Sequence, residues 1–230
     1  MSPAGLGWAE STKIAERSGT ARSLPRGPHS LSAEEVSTSQ RERVIAGVIE
    51  EVAEKGYVHT SVAGILKRAG VSRLTFYQLF TDKEDCFVAA SASRSTLLAE
   101  VLDTVGTEDT DGVDGATTSA LTRIDRILEL YLSVLAAEPA SAKALMIEVY
   151  AAGPRAIEQR NRSMSQFVDV VSRILTEADG AFARLTDTHF AAQVFVGAVS
   201  SMVTNLIGTG EIERLDELRA PLVTLLEGLQ

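Results

Sequence analysis

The stretch GYVHTSVAGILKRAGVSRLTFYQLFTDKED, residues 56–85, holds two short apolar stripes separated by a turn signal. Thr60 and Ser61 are helix-capping residue types, and Val62, Ile65, Leu66 and Ala69 then recur at helical spacing. Gly70 and Val71 interrupt the pattern, and Ser72 caps a second short helix that runs through Phe80. On that helix Phe76, Leu79 and Phe80 share one face and should pack inward. Leu74 and Gln78 lie on the opposite face, one turn apart, flanked by Thr75 and Tyr77. Upstream, Val44, Ile45, Val48, Ile49 and Val52 predict an amphipathic helix from about Gln40 to Gly56, which braces the pair. Downstream, Thr81 and Asp82 start a fourth helix that runs to about Asp103.

Outward from this core the chain divides by composition. Residues 1–38 are rich in Ser, Gly, Pro and charge and show no periodicity, so they read as a disordered tail. Arg17, Arg22 and Arg26 could make it a basic arm, although a solvated tail is the simpler reading, and Trp8 has no core to join. Gly106 to Gly115 is an acidic loop. A calcium site there would need ligands where Val113 and Ala120 stand, so no metal is expected. Helices follow at roughly 118–137, 139–151, 154–178, 187–208 and 212–228, the last interrupted at Pro221. No segment alternates as a strand would. The fold class is all-α: a three-helix N-terminal domain over 39–85 and a helical bundle over 86–230.

The net charge of −9 is unevenly spread. Residues 1–38 carry four basic and four acidic side chains, residues 39–90 seven of each, and residues 91–230 eleven basic and twenty acidic. The acidic body repels polyanions, so any such partner must meet the N-terminal part. No apolar run reaches the roughly 18–20 residues of a membrane span, and the first residues lack a secretory pattern. Cys86 is the one cysteine, beside Phe87 on an apolar face, where packing is its expected role; this suits a reducing cytoplasm. No nucleophile elbow, phosphate-cradling loop or His-Glu-x-x-His occurs, and His29, His59 and His189 fall in separate segments. The expectation is therefore no catalytic residue, no metal and no cofactor.

Two short helices joined by a tight turn, with a bracing helix before them, form the helix-turn-helix unit, whose second helix can enter a DNA major groove. Gln78 can pair with an adenine edge, and Leu74 can pack on a thymine methyl. Leu74 could instead turn inward beside Leu66. Ser61, Tyr77 and Lys83 stand at or near helix ends, where they can hold phosphates.

Residues 41–87 resemble the DNA-binding region of TetR-family regulators. The matching elements, in order, are Gly56-Tyr57, Thr60-Ser61-Val62, Ala69-Gly70-Val71-Ser72, Thr75-Phe76-Tyr77, Phe80 and Asp82-Lys83-Glu84. The resemblance implies that Arg73, Leu74, Thr75 and Gln78 approach bases and that Ser61, Ser72, Tyr77 and Lys83 hold the backbone. Members usually carry Gly where this chain has Leu74, Ala where it has Leu66, and Asp where it has Gly64. Partners implied are double-stranded DNA, as a palindromic operator, a small and hydrophobic effector, and a second copy of the chain. The implied function is repression relieved by the effector, with Met146, Tyr150, Phe167, Val171 and Phe195 as pocket candidates. For the homodimer, one apolar stripe is Phe190, Val194, Ala198, Met202 and Leu206, and another is Leu215, Leu218, Leu222 and Leu225. A ligand-independent regulator or activator keeps the same motif without a usable cavity. A helical enzyme or carrier would need clustered reactive residues, which the sequence lacks.

Overall fold

Ser32 starts the first helix, about three turns before its apolar stripe begins at Val44. In the computed structural model, which describes residues 32–107, 119–178, 182 and 185–229, α1 spans Ala33–Lys55. The Ser32 hydroxyl accepts the Glu35 amide, and the Glu35 carboxylate accepts the Ser32 amide at 2.6 Å, a reciprocal capping box. The expected tail therefore stops short of residue 38. Glu34 to Gln40 carry no apolar period, which hid the first turns, although Ser-x-x-Glu is itself a helix-start signal. Trp8, Arg17, Arg22 and Arg26 lie outside the described residues.

The next helices are short because their caps are close together. α2 (Val62–Ala69) starts at Ser61 and ends at Gly70, whose φ of +61° suits a residue without a side chain. α3 (Arg73–Leu79) starts at Ser72 and closes on Phe80, which is already extended. α4 (Lys83–Thr107) follows, then α5 (Ala120–Ala137), α6 (Pro139–Met146), α7 (Pro154–Thr176), α8 (Thr188–Thr209) and α9 (Arg219–Glu227). No strand occurs among the described residues.

Three boundaries differ from the sequence reading. The helix expected over 139–151 ends at Met146 and continues as a 3₁₀ turn, Glu148–Ala151. The last helix is divided near Leu218, where a 3₁₀ turn, Ile212–Leu218, passes into α9. Pro221 is not the break: it occupies the first turn of α9, where a backbone N–H has no helical acceptor to lose. Of the expected acidic loop, Gly106 and Thr107 belong to α4, and residues 108–115 lie outside the described residues.

The compact units are not divided at residue 85. The described residues up to Ser93 pack together with Glu138–Arg160, and those of Arg94–Ala137 and Asn161–Gln230 form a second unit. In the first unit Val44, Val48, Val52, Ile65, Phe76, Phe80 and Phe87 share a core with Ala144, Val149 and Ala156 from the returning segment. That segment is also tied by polar groups. Lys143 Nζ donates to the Ala53 carbonyl at 2.7 Å, near the C-terminus of α1, and Arg155 donates to Asp85 at 3.3 Å. In the second unit Leu132, Leu215, Leu222 and Leu226 are buried, and Arg219 grips Asp125 through two bonds of 2.6 and 2.7 Å. The Arg219 guanidinium holds the Asp125 carboxyl below the usual carboxylate range.

Candidate nucleic-acid interface and effector pocket

α3 is held by one side and offers the other. Phe76 is fully buried, with its ring 5.8 Å from that of Phe80. Leu74 is 71% exposed, so it does not fold back on Leu66, which packs against the first unit's core. Gln78 and Tyr77 are exposed beside it, and the Arg73 guanidinium lies 5.5 Å from the centre of the Tyr77 ring. Arg73, Leu74, Tyr77 and Gln78 thus share the outward face. Thr75 is set back: its hydroxyl is 2.9 Å from that of Ser72, and its amide donates to the same Ser72 oxygen. Ser61 caps α2 by accepting the Gly64 amide at 3.1 Å.

Lys83 is placed differently from a free phosphate contact. Its ammonium donates to the carbonyls of Tyr57 and Thr60 at 2.9 and 3.0 Å and stands 4.2 Å from the centre of the Tyr57 ring. Burial pushes its pKa down. Two of its three protons are committed inside the protein, so its first role is to tie α4 to the turn before α2. Cys86 is buried, and burial raises its thiol to about 12, as fits a packing residue.

The second unit contains an apolar pocket, partly open to solvent. Its walls are Leu102 of α4, Ile124, Ile127, Leu128 and Tyr131 of α5, Met164, Phe167, Val170 and Val171 of α7, and Phe195, Val196, Val199 and Ser200 of α8. Phe167, Val171 and Phe195 were expected there. Met146 and Tyr150 are not: they belong to the returning segment of the first unit, where the 3₁₀ turn leaves Tyr150 exposed with the Arg160 guanidinium over its ring. The α5 wall was missed. Ile124, Ile127, Leu128 and Tyr131 recur at helical spacing, which marks a buried face but does not say whether it meets a neighbour or a void.

Residues 44–90 match the family model described as bacterial regulatory proteins, tetR family. This segment is of the tetR family. The chain is 24% identical over 167 residues to the fatty acid metabolism regulator protein of Bacillus subtilis (strain 168), covering 72% of this chain and 82% of that one. Among solved structures it resembles the fatty acid degradation regulator FadR from Bacillus halodurans, with a TM-score of 0.71 and 23% identity over 81% of this chain and 97% of that one. FadR from Bacillus subtilis, solved in complex with stearoyl-CoA, gives a TM-score of 0.70 and 22% identity over 82% and 98% of the two chains.

Within the segment that matches the tetR-family model, the chain departs from the family pattern at Gly64 for a structural reason. The Glu51 carboxylate of α1 lies against Gly64, where even a methyl group would overlap it. Glu51 is 2% exposed and accepts from Arg68 Nε and Lys55 Nζ, each at 2.6 Å. Burial raises its pKa, but these two cations outweigh burial and leave it lowered. Arg68 also reaches Glu54 and Glu50. A carboxylate from α1 therefore fills the place where the family pattern has Asp on α2. Gly64→Ala should destabilise the protein by about 1–2 kcal/mol through overpacking. With Glu51→Ala already present, the same change should stabilise by about 1 kcal/mol, because only helix propensity remains. Urea denaturation of the four proteins checks this, and equal signs in the two backgrounds would refute the shared space.

The stripes assigned to pairing with a second copy are only partly free. Phe190, Val194 and Met202 of α8 are 61%, 56% and 45% exposed, Leu225 of α9 is 55% exposed, and Ala198 is half-buried. Leu206, Leu215 and Leu222 are buried within the chain's own unit, and Leu218 is half-buried, so the expected stripe narrows. α8 is long and apolar enough, by length and composition, to cross a membrane. Its other face, including Ala192, Phe195, Val199 and Val203, is buried in the bundle.

Proposed function

We propose that the protein is a cytoplasmic homodimeric repressor that occupies a palindromic operator and is released by a long-chain acyl ligand. The observation that carries the ligand is the pocket lining, where Ser200 and Tyr131 are the residues with a polar side-chain group among aliphatic and aromatic walls. Such a surface favours a hydrocarbon chain over a polar metabolite. The similarity to fatty acid regulators, one of them solved with stearoyl-CoA, supports the same class. On the DNA side, Arg73, Leu74 and Gln78 face bases and Ser61, Ser72, Thr75 and Tyr77 serve the backbone, Thr75 because its hydroxyl is turned to Ser72. The remaining proton of Lys83 can assist. Two copies of α3 would enter successive major grooves about 34–36 Å apart. The ligand acts by favouring a conformation in which that spacing no longer fits.

The test is fluorescence anisotropy on an operator selected from random DNA. Stearoyl-CoA should weaken binding at least about tenfold, and coenzyme A alone should not. An unchanged affinity with every acyl ligand tried would overturn the ligand assignment while leaving the DNA assignment standing. In the same selection, Leu74→Gly should relax preference at a thymine by about 1 kcal/mol or more, and Gln78→Ala should relax it at a nearby adenine. Unaltered base preference in both variants would remove these residues from readout.

A further inference from the structure

The turn between α1 and α2 is held from a distant part of the chain. Gly56, with φ +76°, reverses the chain after α1. The Tyr57 amide then donates to Glu148 Oε2 at 2.8 Å, across 91 residues of sequence. Glu148 opens the 3₁₀ turn of the returning segment and is half-buried, and its carboxylate also lies against Gly56. On its other side the turn is held by Lys83, through the carbonyls of Tyr57 and Thr60, while the Thr60 hydroxyl donates to the Gly56 carbonyl at 2.9 Å. The next residue, Ser61, is the cap of α2. The start of the helix-turn-helix is therefore clamped between an anion and a cation that both come from outside it.

We propose that Glu148 is a positioning residue for DNA binding: its carboxylate fixes the 56–60 turn and so sets where α2 and α3 stand. The returning segment that carries it continues into α7, which further along supplies Met164, Phe167, Val170 and Val171 to the cavity. Glu148 thus lies on the stretch of chain that leads from the cavity wall to the DNA-binding helices. This rests on the DNA-binding reading and needs no particular effector.

Charge and position predict opposite outcomes. Glu148→Ala deletes an acidic group from a unit that binds a polyanion, so electrostatics alone would tighten DNA binding. Loss of the clamp would weaken it. Full-length wild type, Glu148→Ala and Glu148→Gln are compared by anisotropy on the selected operator, well below each melting temperature. Glu148→Ala should bind about tenfold more weakly, with an unchanged salt slope because no phosphate contact is lost. Glu148→Gln keeps an oxygen that accepts the Tyr57 amide, so it should bind as well as wild type or more tightly. Amide exchange at Tyr57 should quicken in the Ala variant alone. Equal or tighter binding by Glu148→Ala overturns the proposal, as does Glu148→Gln binding as weakly as Glu148→Ala. Wild type that selects no DNA would instead defeat the DNA-binding reading, and the proposal with it.

Discussion

Changing Val194 and Met202 together to Asp is expected to leave a folded monomer and to lower operator affinity by about 10²–10⁴-fold. Both side chains lie on the face of α8 turned away from the bundle and are about half exposed, so Asp there meets water in the single chain. The fold of one chain should lose little. At a paired interface the same carboxylates would be buried opposite apolar groups or one another, which costs several kcal/mol. Gly197 and Ser201 on the same helix are exposed, and Gly197 has open space around it, so two such helices can approach closely. A monomer carries one α3, and the loss of the second removes the gain from engaging two half-sites at once. Sedimentation at micromolar concentration reads the first effect and anisotropy the second. A dimer that survives both substitutions would place the interface elsewhere.

Phe76→Ala should cost about 3–5 kcal/mol and abolish specific DNA binding. Phe76 has no exposed surface and meets the rings of Tyr77 and Phe80 at centroid distances of 5.3 and 5.8 Å. α3 has only seven residues, too few to persist on backbone hydrogen bonds alone, so its side chains must anchor it. Truncation leaves a void under the helix and frees its outward face from a fixed direction. Thermal unfolding with a heat-shock control for aggregation measures the stability loss. A loss under 1 kcal/mol would mean that α3 is held mainly by its caps.

The helix-turn-helix was legible because its signals are local. Ser61, Gly70 and Ser72 mark starts and stops within a few residues, and the inward placing of Phe76 and Phe80 follows from spacing on one helix. The all-α class followed from the same periodicity. What escaped were relations between distant segments. Nothing in the pattern around Glu148 or Lys143 says that they close the core beneath α1, and Met146 and Tyr150 were assigned to a cavity because their helix looked like its neighbours. Leu215 and Leu222 show a related ambiguity: an apolar stripe reads the same whether it faces its own bundle or another chain. Lys83 kept its place in the motif, but a lysine's reach hides which carbonyls take its protons until the turn is folded.

The N-terminal unit is discontinuous, and the order of synthesis gives that fact a consequence. After Ser93 leaves the ribosome, the core that holds α3 still lacks Ala144, Val149 and Ala156 until residue 160 has left it too. At 5–20 residues per second that interval is about 3–13 s. During it the Ala53 carbonyl and the Tyr57 amide have no protein partner from the returning segment. The reading head therefore matures only after part of the effector-side chain exists, so nascent chains cut short before that point carry the motif without its support. Chimeras face the same constraint. A graft that moves residues 32–93 onto another body must bring 138–160 with it, or leave the transplanted head with an open core.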